Sequence, residues 1–144
     1  MTKPTRKPKS APVIRFELLP ISTLLPHEEV DPKTVGTVEE GIRQEGAVLE
    51  PILVAEGSFV VLNGHHRLEV LRRLGARCAP AWVVDYHLPT ITVDLWPGTA
   101  IESVPSKKEI EERAKRGLLY PPKTSRHKVR HRLPRRRTPL QELY

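Results

Sequence analysis

The chain has 144 residues, with 24 Lys and Arg against 17 Asp and Glu, and a formal net charge of +7. That length suits one domain with a modest core, and the absence of an apolar run of about 18 residues argues against a membrane span. The single cysteine, Cys78, excludes an internal disulfide, and no apolar segment follows the basic N-terminus, so the reading is a cytoplasmic protein without a secretory signal.

The charge is unevenly spread. Residues 1–10 carry a net +4, residues 11–105 a net −6 and residues 106–144 a net +9. A basic chain often binds nucleic acid. Here the excess sits at the two ends, which predicts non-specific contact with polyanions rather than a core that reads bases. No segment reads as a helix-turn-helix.

Residues 1–12, rich in Lys, Arg, Pro and Ser, read as a disordered basic tail. Val13 to Leu19 alternates and predicts a first strand. Pro20 to Pro26 is a connector bounded by prolines, and His27-Glu28-Glu29 follows it. Thr34 to Gln44 predicts a helix with Val35, Val38 and Ile42 on one face, stopped by Gly46. Pro51 to Leu62 holds two apolar runs around Glu56-Gly57, the pattern of a hairpin.

Leu68, Leu71 and Leu74 give the next helix an apolar stripe, and Gly75 ends it. Ala79 to Tyr86 and Thr90 to Leu95 read as strands, and Pro97-Gly98 breaks the second. Cys78 reads as a small buried side chain. Ser106 and Glu109 form a capping box that opens a helix through Arg116, closed by Gly117. The mixed order predicts a small α+β domain with a mixed sheet. Its organisation is a core over residues 13–96, a linker over 97–105, a helix and loop over 106–127 and a basic tail over 128–144.

The segment that points to chemistry is Val60-Val61-Leu62-Asn63-Gly64-His65-His66-Arg67. An apolar strand ends at a glycine and a helix begins at once. Glycine lets the backbone approach a ligand. The first helical N–H groups lack partners, and the helix dipole favours an anion there. With His65, His66 and Arg67 as further donors, the turn reads as a phosphate site at one edge of the sheet. Adjacent helical histidines do not face the same way, so they do not read as a metal pair, and no metal ligand is assigned to the protein. A polar loop with solvated histidines is the plain alternative.

Three other segments could converge on that turn: Pro26-His27-Glu28-Glu29, Lys123-Thr124-Ser125-Arg126-His127, and the strand end at Asp85-Tyr86. Phosphoryl transfer needs positioning, charge neutralisation and often one carboxylate to orient the acceptor. Glu28 or Glu29 could serve as that carboxylate, while Lys123, Arg126 and the Thr124 and Ser125 hydroxyls could hold a phosphate or a small carboxylate.

On Gly64-His65-His66-Arg67 the chain resembles the ParB/sulfiredoxin superfamily, and from Asn63 to Tyr86 it looks most like that superfamily's free L-serine kinases. Leu25-Pro26-His27-Glu28 and Lys123-Thr124-Ser125-Arg126-His127 extend the likeness over roughly residues 13–96 and 106–144. The resemblance implies a kinase that moves a phosphoryl group from ATP or ADP, with Mg2+, to free L-serine, giving O-phospho-L-serine. It implies Glu28 as base, Asn63 to Arg67 on the nucleotide phosphates, and His27, Lys123, Thr124, Ser125, Arg126 and His127 around serine. Three departures stand out. Asn63 replaces the usual Asp, only about ten residues join the core to the last helix (which invites a homodimer to complete the site), and the end of the chain is unusually basic. Position 65 is His where sulfiredoxin chemistry needs Cys. A ParB-like regulatory or DNA-associated protein that binds nucleotide without kinase activity is the alternative.

Overall fold

The computed structural model describes residues 14–144. The N-terminal basic tail expected over residues 1–12, and Val13, lie outside the described residues. Strand β1 covers Ile14–Pro20 and a 3-10 turn follows at Ile21–Thr23. Helix α1 spans Pro32–Glu45, then come β2 (Ala47–Val48), β3 (Ile52–Ala55) and β4 (Val61–Asn63). Helix α2 spans His65–Arg73, with β5 at Cys78–Val84 and β6 at Ile91–Leu95. Helix α3 spans Lys107–Arg116, followed by β7 (Ser125–Val129), β8 (Thr138–Pro139) and a 3-10 turn at Leu140–Leu143. Among the described residues no helix is long and apolar enough to cross a membrane.

The main sheet has the order β1-β5-β3-β4. β1 and β5 are antiparallel, β5 and β3 parallel, and β3 and β4 antiparallel, so the sheet is mixed as the sequence predicts. β3 is buried along its whole length, as a continuous apolar run at the centre of a covered sheet should be. Its residues alternate between two cores. Ile52 and Val54 join Val35, Ile42, Leu68 and Leu71 under α1 and α2. Leu53 and Ala55 join Ile91, Ile110, Ala114 and Tyr120 under α3 and the β6–β7 pair. β4 is one of the two edge strands, so whatever follows it emerges at the rim.

The helix ends obey local chemistry. The Asp31 carboxylate accepts the Thr34 amide at 3.2 Å with Pro32 in the first turn, and Gly46 closes α1 in the left-handed region. The Ser106–Glu109 capping box on α3 is formed in both directions.

Two expectations need correction. Residues 128–144 do not form a free tail. β7 pairs with β6 out to Val129, the Arg136 amide donates to the Leu49 carbonyl at 3.1 Å, β8 pairs with β2, and Leu143 is fully buried in the first core. Three arginines of this arm have partners: Arg135 sits 3.2 Å from Glu50, Arg137 donates to the Glu45 carbonyl at 2.9 Å, and Arg136 lies 3.8 Å over the Phe16 ring. Charge density marked the arm as solvated, but its interspersed Leu133, Leu140 and Leu143 seat it. Cys78 is half-buried, at the point where β5 pairs with the end of β1.

Candidate active site

Gly64 makes the turn between β4 and α2. Its φ of 96° lies in the left-handed region, and a Cβ there would sit 2.6 Å from Ile52 Cγ2 and 2.8 Å from an Arg67 guanidinium nitrogen. Only glycine fits. No side chain caps α2, so its first amides face the rim unpaired. Arg67 tucks back along the turn, its Nη2 donating to the Pro51 carbonyl at 3.5 Å and its Nη1 3.7 Å from Glu50.

The two histidines act differently from the sequence expectation. His65 Nε2 accepts the His27 amide at 3.2 Å, and His66 Nε2 accepts the Asp31 amide at 3.0 Å. A ring nitrogen that accepts is deprotonated, so both rings hold the loop from His27 to Asp31 in place of offering Nε2 donors to a phosphate. Burial, followed by the neighbouring His27, takes the His65 imidazole down to about 3, and burial lowers His66 as well. An anion at this turn would therefore meet backbone N–H groups first.

The same loop carries Glu28. It runs beside β4, with the Leu25 amide on the Phe59 carbonyl and the Val61 amide on the Leu25 carbonyl, at 3.0 and 2.9 Å. On its other side the Tyr120 amide donates to the His27 carbonyl and the Glu29 amide to the Tyr120 carbonyl, each at 2.8 Å. Thus clamped, the Glu28 carboxylate accepts the Lys123 amide at 3.0 Å, the Ser125 amide at 2.8 Å and the Ser125 hydroxyl at 2.5 Å. Lys123 adopts φ 56°, a left-handed conformation that costs a side-chain-bearing residue about 1–2 kcal/mol, and its amide meets the carboxylate. Burial alone would raise the Glu28 carboxyl. The hydrogen bonds from His27 and Ser125 outweigh it and bring the group down to about 2.

His27 is fully buried behind Glu28. Its Nδ1 lies 2.7 Å from the Val61 carbonyl, to which it donates, and its Nε2 lies 2.7 Å from the Ser125 hydroxyl. Its ring thus lies against Ser125 and, at 3.5 Å, the Glu28 carboxylate. Thr124 is likewise fully buried, its hydroxyl donating to the Pro121 carbonyl at 2.7 Å. His127 lies 2.8 Å from the Tyr86 hydroxyl, and burial, then His27, takes its imidazole down to about 3. The unprotonated ring nitrogen accepts the hydrogen bond of the phenol, and burial raises Tyr86. Asp85 stays exposed at its strand end, where it accepts the His87 amide.

A groove of about 190 Å³ unites Glu28, Asn63, Gly64, His66, Arg67, Lys123 and Ser125. Trp96 forms one wall, with the Arg126 guanidinium 4.7 Å over its ring. The sequence reading missed Trp96, whose only signal was an aromatic just before the Pro97-Gly98 break. Val38 and Arg67 link this groove to a second, more apolar one of about 340 Å³ along the end of α1, lined by Ile42, Val48 and Leu49. That groove was also missed. Among the described residues no cluster of three or more His, Cys, Asp or Glu could hold a metal ion.

The chain is 34% identical over 105 residues to an ATP-dependent L-serine kinase of Staphylothermus marinus, which covers 70% of this chain and 41% of that protein. It is 28% identical over 134 residues to an ADP-dependent L-serine kinase of Thermococcus kodakarensis, across 81% of this chain and 53% of that one. The chain thus spans about half or less of the length of these relatives. No family model matches it. A solved free serine kinase in complex with AMP superposes with a TM-score of 0.80 at 20% identity, covering 98% of this chain and 96% of that one. The chain has the fold of that solved free serine kinase.

Proposed function

We propose that this chain is a small-molecule kinase that transfers the terminal phosphoryl group of ATP or ADP to the hydroxyl of free L-serine. The observation that carries this reading is one ionised, buried carboxylate, Glu28, sharing a groove of about 190 Å³ with the unpaired amides that open α2. The named relatives, one ATP-dependent and one ADP-dependent, support the substrate class and leave both donors in play.

In this reading the terminal phosphates lie against the α2 N-terminus, where oriented amides and the helix dipole offset their charge. The base lies in the apolar groove along α1. Serine enters between Glu28, Lys123 and Trp96. Its hydroxyl oxygen attacks the terminal phosphorus, the bond to the departing nucleotide breaks, and the hydroxyl proton passes to Glu28. A carboxylate held down to about 2 is a weak base. That suffices, because phosphoryl transfer runs through a loose transition state in which orienting the acceptor matters more than early deprotonation. Lys123 offsets the repulsion between the Glu28 carboxylate and the phosphates. The described residues offer Mg2+ no seat of their own, since the Glu28 oxygens are already hydrogen-bonded and Asn63 is a neutral amide. Mg2+ would arrive as part of the nucleotide substrate. Cytoplasmic location and a homodimer remain part of the proposal.

The test is mass-spectrometric detection of O-phosphoserine after incubation with L-serine, Mg2+ and either ATP or ADP, beside Glu28→Gln. Product that depends on the donor and vanishes in the variant supports the kinase. Nucleotide binding without product from either donor overturns it in favour of a binding or regulatory protein.

A further inference from the structure

A third cavity, of about 340 Å³, shares Asn63 and Arg67 with the groove that holds Glu28. Its floor is apolar: Leu53 and Trp82 from the sheet, with Leu133 from the C-terminal arm. Its rim is cationic, with Arg67, Arg132 and Arg135, and the one acidic residue lining it is Glu50, already between Arg67 and Arg135. Arg132 has no ion pair among the described residues.

Three of the lining residues carry buried side-chain nitrogens that meet no partner among the described residues: Arg67 Nε, Trp82 Nε1 and His127 Nδ1. Buried polar groups are nearly always paired in folded proteins, and three unpaired on one cavity need an explanation. The kinase reading does not provide one, because its phosphates lie at the α2 N-terminus and its base along α1. A ligand bearing acceptor oxygens does. The volume falls within the range of small-molecule sites, which combine an apolar lining with a few convergent polar groups.

We propose that this cavity is a second ligand site that takes a small organic anion, a phosphate or carboxylate on a flat apolar body. The anionic oxygens meet Arg132, Arg67 Nε and the Trp82 indole N–H. The apolar body lies on Leu53 and Leu133. The site shares Arg67 with the phosphate turn, so occupancy bears on the position of that turn. The proposal stands whether or not the chain phosphorylates serine.

The chain has two tryptophans, so each indole N–H gives its own signal in a nitrogen–proton NMR spectrum of the whole chain. Trp96→Phe assigns them. The probe is phenyl phosphate, with inorganic phosphate and phenol titrated in parallel. The expected result is a saturable shift of the Trp82 indole, weakened roughly tenfold by Arg132→Ala, with phenyl phosphate binding more tightly than inorganic phosphate and with no matching shift of the His65 and His66 amides. Three results overturn the proposal. One is a Trp82 indole that does not respond. Another is a Trp82 shift that tracks the His65 and His66 amides with a single affinity indifferent to Arg132→Ala, which places the probe on the phosphate turn. The third is equal affinity for inorganic and phenyl phosphate, which removes the apolar floor from recognition.

Discussion

Replacing Gly64 with Ala tests the phosphate turn most directly. The residue stands at φ 96° and ψ 25°, where an L side chain costs about 1–2 kcal/mol. The new methyl would also meet Ile52 Cγ2 at 2.6 Å and Arg67 Nη2 at 2.8 Å. The guanidinium can swing away, since it ends a flexible side chain. Ile52 cannot, because it is fully buried in the sheet. Overpacking of that kind costs about 1–3 kcal/mol. The two effects together come to roughly 2–5 kcal/mol, or a fall in Tm of roughly 6–20 °C for a domain of this size. Any shift that relieves the clash also turns the first amides of α2, so nucleotide affinity should fall by at least roughly tenfold beyond what unfolding explains. Gly57→Ala is the internal control. Gly57 has φ 86° but open space where the Cβ would go, so it should lose about 1–2 kcal/mol by strain alone and keep its nucleotide affinity. Thermal unfolding and calorimetric titration with ADP and ATP read both quantities. If Gly64→Ala loses no more stability than Gly57→Ala, the steric reasoning is refuted. If it binds nucleotide as tightly as the parent chain, the turn is not the phosphate site.

His65 and His127 sit at about 3 in the folded chain against an ordinary 6.5. Below pH 6.5 the unfolded state therefore binds more protons, so their contribution is complete above 6.5 and is lost as pH falls toward 3. Urea unfolding at pH 7 and pH 5 should differ by about 2 kcal/mol per histidine, and a flat profile would contradict the buried, neutral assignment. Glu28→Gln puts an amide NH2 where one carboxylate oxygen stood, against either the Lys123 amide or the Ser125 amide and hydroxyl. It should cut phosphoserine formation by at least roughly a hundredfold while nucleotide still binds, and full turnover would remove Glu28 from the chemistry. Trp96→Ala should raise KM for serine roughly tenfold with nucleotide affinity little changed; the reverse pattern in steady-state kinetics would move Trp96 to the nucleotide side.

What could be read from the chain in advance follows the range of the interactions. The Ser106–Glu109 capping box spans three residues, and the Gly64 turn sits between a strand and a helix that each announce themselves. Both were legible because their physics is local. The setting of Glu28 was not, since its carboxylate meets Lys123 and Ser125 from positions 95 and 97 residues away. Residue type gave the members of the site without their roles. His65 and His66 read as donors to an anion, yet each ring nitrogen accepts an amide from the loop that carries Glu28. His27 and Thr124 read as substrate contacts, and both side chains are fully buried here. The arginine-rich arm misled for a related reason. Charge predicts solvation only when nothing nearby anchors the backbone, and here Leu143, inside the first core, pins the end of a segment in which Arg135, Arg137 and Arg136 then find a carboxylate, a carbonyl and a ring. That anchoring places Arg132, Leu133 and Arg135 over the sheet face beside Arg67. A stretch that composition alone assigns to loose polyanion contact thus becomes one wall of a defined cavity, next to the turn on which the proposed chemistry depends.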